Sequence, residues 1–194
     1  MRKIESICVY CGSSSRGNPE HHLAAKRLGR GMAARGIELV YGGGHVGVMG
    51  MVANSVLDGG GRVTGVIPRH LYDLEVGHEG VTELLLVDGM HARKNLMFER
   101  ADAFVVLPGG LGTLDETFEI VTWRQLGLHD KPIVIVDVDG YWAPLRLLFE
   151  AVIAGGYAPP ASRQLFAMVD AVEDVFTTLA EMPEPMIEPR SSRL

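Results

Sequence analysis

The chain has 194 residues, 47% hydrophobic and 22% charged, with a formal net charge of −6. That composition gives one domain's worth of chain enough apolar content for a core and excludes a disordered protein. The acidic balance argues against a nucleic-acid binder, which carries a basic stripe, and no apolar run approaches the roughly 18–20 residues of a membrane span.

The N-terminus, MRKIESICVYCG, starts basic, but Glu5 and Ser6 interrupt its apolar run. It reads as a first strand rather than a signal peptide, which predicts a cytoplasmic protein. Cys8 and Cys11 form a CxxC. A redox CxxC opens an exposed helix, whereas strand positions i and i+3 point to opposite faces. No second CxxC completes a zinc set. His21 and His22 are adjacent on a helix and face different ways. The two thiols are therefore expected to be buried strand residues.

PEHHLAAKRLGRGMAARG (19–36) reads as a helix with Pro19 in its first turn and Gly36 past its end. IELVYGG (37–43) is a second strand, and VGVMGMVANSVLDGGG (46–61) a helix ending in glycines. RVTGVIP (62–68) is a third strand closed by Pro68, HLYDLEVGHEG (70–80) a mixed connecting segment, and VTELLLVDG (81–89) a further strand. MHARKNLMFERA (90–101) is helical and DAFVVLPGG (102–110) a strand. LGTLDETFEIVTWRQLGLH (111–129) is a helix with Leu114, Phe118 and Val121 on one face. KPIVIVDVDG (131–140) is a strand, YWAPLRLLFEAVIAGG (141–156) a helix, and QLFAMVDAVEDVFTTLAEM (164–182) a short strand and a final helix. Alternation of helices with β-branched runs predicts an α/β, Rossmann-like, doubly wound fold: a mainly parallel sheet with helices on both faces. A single domain is expected over residues 1–182, followed by a disordered, proline-rich tail over 183–194.

In such folds ligands sit at the carboxyl ends of the strands. Three loops there are unusual. CGSSSRGNP carries Ser13, Ser14 and Ser15; YGGGHVGVMG carries Gly42, Gly43, Gly44 and Gly47; LPGGLGTLDE carries Gly109, Gly110, Gly112 and Thr113. Glycine lets a ligand approach the main chain, and a helix N-terminus offers N–H groups and partial positive charge to a phosphate. One such loop can serve close packing alone; three together point to a phosphate-bearing ligand. A GxGxxG after the first strand and a Walker A sequence are both absent, against a dinucleotide enzyme and a triphosphate hydrolase.

Arg93 and Lys94 lie near a helix start, where cations oppose the helix dipole and a bound anion would reverse that cost; an ordinary solvated pair is the alternative. Thr113 and Glu116 share a helix face. Glu116 thus stands one turn above the glycine loop, placed to hold ribose hydroxyls, orient water or stabilise an oxocarbenium-like transition state. Asp115 lies about 100° around the helix and fits an acid that merely favours the first turn.

PGGLGTLDE matches PGGxGTxxE, and MHARK matches MxxRK. With CVYCGSSSRGNP, YGGGHVGVMG, GVIPRHL, EVGHEGVTELLLVDGMHARK and TWRQLGLHDKPIVIVDVDGYW in the same order, the chain resembles the LOG ("lonely guy") family of cytokinin-activating phosphoribohydrolases over about residues 3–180. That family has often carried a lysine decarboxylase label. The resemblance implies hydrolysis of the N-glycosidic bond of an N6-substituted adenosine 5′-monophosphate, or of AMP itself as in an AMP nucleosidase. It implies Arg93 and Glu116 as the catalytic pair. Gly110, Leu111, Gly112 and Thr113 would wrap phosphate or ribose, and Lys94, Glu75 and Thr122 match further substrate contacts. Ser13, Gly43, Gly44 and Gly109 join the substrate-binding set from the three loops. The family typically forms homodimers with the site near the subunit interface. Asp115, where Glu is common, and Gly89 before Met90 are small departures that bear on base preference rather than on the reaction.

Lysine decarboxylation would use pyridoxal phosphate on a Schiff-base lysine. Of Lys3, Lys26, Lys94 and Lys131, Lys94 alone stands in a suitable place, and nothing in the sequence marks a cofactor pocket around it. A non-catalytic nucleotide-binding module fits the phosphate loops equally well; the Arg93–Glu116 pair separates it from an enzyme. His45, His78 and His91 lack metal-ligand spacing, so neither metal nor cofactor is expected.

Overall fold

The computed structural model describes residues 3–72 and 77–183. Strands β1 (Ser6–Tyr10), β2 (Glu38–Tyr41), β3 (Val63–Pro68), β4 (Glu83–Val87), β5 (Ala103–Val106), β6 (Ile133–Val136) and β7 (Ala167–Val169) form one sheet in the order β4-β3-β2-β1-β5-β6-β7. Every neighbouring pair is parallel. Parallel strands need crossovers, and these are the helices α1 (Pro19–Ala33), α2 (Gly47–Asp58), α4 (Met90–Arg100), α5 (Leu111–Gln125) and α6 (Ala143–Ala154), with α7 (Val175–Glu181) after the last strand. The connecting segment after β3 opens with one helical turn, α3 (Arg69–Tyr72), which the mixed composition of that stretch hid.

Both sheet faces are covered, which is why the central strands read as unbroken apolar runs. On one face Val9, Cys11 and Leu39 pack with Leu28, Met32, Val52 and Val175 from α1, α2 and α7. On the other, Cys8, Tyr10 and Phe104 pack with Met97, Ile120 and Leu145 from α4, α5 and α6. Cys8 and Cys11 fall in different clusters, as strand parity requires, and both thiols are free. Phe104 is wholly buried and stacks at 5.8 Å on Tyr10 and on Phe98. Its truncation to alanine would cost about 3–5 kcal/mol.

Local chemistry sets the element ends. The Asn18 side chain caps α1 by accepting from the Glu20 N–H at 3.0 Å, with Pro19 at the first position. Arg124, fully buried on α5, donates to the Leu165 carbonyl at 2.8 Å and to the Pro183 carbonyl at 3.1 Å. Pro183, expected to begin the disordered tail, is thereby tied to the domain; the rest of that expectation, residues 184–194, lies outside the described residues. Among the described residues no helix is long and apolar enough to cross a membrane.

The chain enters the sheet at its centre, runs outward from β1 to β4, then returns to lay β5 on the other side of β1. The switch point between β1 and β5 leaves a crevice at their carboxyl ends, where the loops after the two strands diverge.

Candidate active site

The three glycine-rich loops meet at that crevice, but they do different things. The Gly12 N–H donates to the Pro108 carbonyl at 3.1 Å, and the Gly12 carbonyl accepts from the Met49 N–H at 3.1 Å. The β1 loop is thus clamped between the β5 loop and the start of α2. Gly47, at φ 68°, lets α2 begin against the Ser13 and Ser14 carbonyls; a Cβ there would lie 2.6 Å from them. Gly43 and Gly44 are buried: the Gly43 carbonyl accepts from the His78 N–H at 2.9 Å, and Gly44 bridges Gly77. The glycines of the β2 loop therefore serve packing, and the start of α2 gives an N–H to the protein itself.

Arg93 is 3% exposed and donates from Nη2 to the Gly42 carbonyl at 3.1 Å. A Cβ on Gly42 would lie 1.9 Å from that nitrogen, so glycine at 42 makes room for the guanidinium. Glu116 is buried on α5 on the same side as the buried Thr113. Burial pushes the Cys8 thiol well above its ordinary value; the Glu116 carboxylate pushes it further, and Arg93 pulls the other way. Cys11 is raised by the same burial and carboxylate and opposed by the same guanidinium. Two thiols flanking the end of β1 both sense the two charges. Arg93 from α4 and Glu116 from α5 therefore converge there.

The β5 loop is the open one. Gly109 is required internally, since a Cβ would lie 2.1 Å from Thr113 Oγ1. Around Gly110 and Gly112 nothing lies within 4 Å of where a Cβ would stand, and neither has a left-handed φ. Packing within the chain does not call for glycine at either position. No side chain caps α5. Its N-terminal N–H groups, with the positive end of the helix dipole, form a site ready for an anion. Beside it Leu111 is 85% exposed, and a groove of about 520 Å³ runs between α5 and α6, lined by Leu114, Phe118, Tyr141, Trp142 and Leu148.

The remaining predicted residues divide. Ser13 is exposed beside the crevice, its backbone against Gly47. Lys94 is buried and held by Asp115 and Glu119, each at 3.1 Å. Burial pulls its pKa down, but the hydrogen bonds to Glu119 and Asp115 outweigh that and leave it raised. Asp115 is thus a partner of Lys94 and not merely a favourable first-turn acid. Thr122 is exposed on α5, on the face that carries Leu111 and Phe118, and the fold does not bring it to the end of β1. Glu75 lies outside the described residues. Sequence reasoning missed Glu119, whose i, i+4 relation to Asp115 was the available signal. It also missed Tyr141, whose hydroxyl donates to the Gly109 carbonyl at 2.7 Å. His78 was missed too: its Nδ1 accepts from the Gly80 N–H at 3.2 Å, so its Nε2–H donates to Asn54 Oδ1 at 2.9 Å. Among the described residues no group of three His, Cys, Asp or Glu side chains could hold a metal ion.

The family model described as "possible lysine decarboxylase" matches residues 49–179. The probable cytokinin riboside 5′-monophosphate phosphoribohydrolase LOGL1 of Oryza sativa subsp. japonica is 44% identical over 175 residues, covering 90% of this chain and 78% of its own. The chain belongs to the LOG family. Two further LOG relatives extend the match: the rice cytokinin riboside 5′-monophosphate phosphoribohydrolase LOG is 42% identical, covering 94% of this chain and 76% of its own. LOG7 of Arabidopsis thaliana, of the same description, is 41% identical over 99% of this chain and 88% of its own. The molybdenum cofactor carrier protein of Chlamydomonas reinhardtii superposes with a TM-score of 0.69 at 20% identity, covering 93% of this chain and 98% of that one. At that identity it shares the LOG fold alone. A decarboxylase site would need a free lysine at the crevice, and Lys94 is instead held by two carboxylates.

Proposed function

We propose that this LOG protein hydrolyses the N-glycosidic bond of adenosine 5′-monophosphates, N6-substituted or plain, releasing the free base and ribose 5-phosphate. The observation that carries the reading is the convergence of Arg93 and Glu116 at the end of β1, beside a helix start whose Gly110 and Gly112 face open space. The 5′-phosphate sits on the N–H groups at the start of α5, where no Cβ intervenes. The ribose then lies against Glu116, one turn along the same helix. As the glycosidic bond breaks, its electron pair goes to the base, and the sugar takes on oxocarbenium character that the Glu116 carboxylate stabilises. A water oxygen adds at C1′, and its proton passes to the carboxylate or to solvent. Arg93, fixed on the Gly42 carbonyl, holds a sugar hydroxyl or phosphate oxygen of the substrate.

A homodimer fits the exposed apolar groove and the location of Thr122, on the α5 face that a second copy would cover, and two free thiols fit a cytoplasmic setting. The rival is a nucleotide-binding module without catalysis, and the carrier proteins on this fold give it weight. Chromatography of base released from AMP and from isopentenyladenosine monophosphate decides between them, with wild type beside Glu116→Gln. Release by wild type and none by the folded variant is expected. Binding of both nucleotides without release would establish the module.

A further inference from the structure

Residues 137–142, DVDGYW, build an arm between β6 and α6. Asp137 is buried; its Oδ1 accepts from the Trp142 N–H at 2.6 Å and its Oδ2 from Arg146 Nη2 at 3.3 Å. Between these anchors Asp139 has φ 53° and Gly140 φ 73°. Asp139 is the one non-glycine residue with a positive φ among the described residues, and such outliers persist only where the surroundings hold them. The effect of the two left-handed residues is to throw Tyr141 back across the crevice. Its ring stands edge-on to His21 and to Trp142, each at 4.9 Å, and its hydroxyl reaches the Gly109 carbonyl at 2.7 Å.

That carbonyl belongs to the peptide joining Gly109 to Gly110. In a trans peptide the C=O and the N–H point in opposite directions. Holding the Gly109 oxygen toward Tyr141 therefore aims the Gly110 N–H the other way. The same plane is braced at Gly109 Cα, where a Cβ would lie 2.1 Å from Thr113 Oγ1 and 2.8 Å from the Gly12 nitrogen. The hydroxyl also occupies a carbonyl oxygen whose partial negative charge would repel an anion if the peptide turned over. Tyr141 is 42% exposed, so burial of its ring does not by itself account for an arm built to this shape.

We infer that Tyr141 is a positioning residue for the nucleotide phosphate: its hydroxyl locks the Gly109–Gly110 peptide in the orientation that presents the Gly110 N–H to a phosphate monoester. The inference rests on the reading above in that the anion at the start of α5 is taken to be the 5′-phosphate. Tyr141→Phe keeps both ring contacts and removes only the hydroxyl. We expect its melting temperature to match wild type, its KM for AMP to rise about fivefold, and kcat to stay near wild type, the scale of one lost hydrogen bond. The affinity for inorganic phosphate, measured by calorimetry on the same two proteins, should weaken by the same factor. Unchanged phosphate affinity, no phosphate binding by either protein, or a loss confined to kcat would overturn the inference. Failure of wild type to hydrolyse AMP would overturn the hydrolase reading alone, since the phosphate titration still reports on Tyr141.

Discussion

Gly42→Ala puts a methyl group where the Arg93 guanidinium now lies. The new Cβ would stand 1.9 Å from Nη2, 3.0 Å from Cζ and 3.3 Å from Met49 Sδ. Ordinary contact begins near 3.4 Å, so Nη2 must retreat by about 1.5 Å and give up its 3.1 Å bond to the Gly42 carbonyl. The backbone raises no objection, because Gly42 is not among the left-handed glycines. The far end of a flexible side chain yields more readily than a core, so the folding cost should sit at the low end of overpacking, about 1 kcal/mol. Turnover should suffer more. Misplacing a reacting group by about 1 Å can cost about 100-fold, or about 2.7 kcal/mol of barrier. Base release from AMP at saturation, with a thermal melt on the same sample, separates the two effects. Wild-type turnover in a variant that melts normally would refute the claim that the β2 loop holds Arg93 in its working position.

The matching experiment at the open loop has the opposite signature. Gly110→Ala meets nothing within 4 Å, so the melt should equal wild type while KM for the nucleotide rises; an unchanged KM would remove Gly110 from the phosphate site. Lys94→Met leaves Asp115 and Glu119 facing each other. It should cost about 1–2 kcal/mol, less than for a fully buried pair because Asp115 is 60% exposed, as read from urea unfolding at neutral pH. A raised KM with no loss of stability would instead give Lys94 to the substrate. Burial lowers the pKa of His129 from 6.5, and that of His21 and His78 in the same direction. The folded state then binds fewer protons than the unfolded one, so stability is lost as pH falls through about 6.5 toward the folded values. Urea midpoints should be lower at pH 5 than at pH 7, and His129→Gln should flatten the difference; a midpoint that rises on acidification would contradict the assignment.

Sequence alone determined everything that depends on near neighbours. Strand parity put Cys8 and Cys11 into opposite cores, and helical spacing put Thr113 and Glu116 on one face of α5. Alternating β-branched and amphipathic runs required a parallel sheet with both faces covered. Contacts that span the chain were decided only by tertiary packing. YGGG and PGGLG look alike as strings. The first is consumed by Arg93, 51 residues downstream, and by His78, whereas the second faces open space. Lys94 reads as a free cation until α5 brings two carboxylates to it, and Tyr141 reads as a helix-start aromatic until a left-handed turn carries its hydroxyl to Gly109. Periodicity records how a residue sits on its own element. Which glycine is open, which charge is paired and which hydroxyl meets the loop depend on how separate elements stack, and no local pattern encodes that distance.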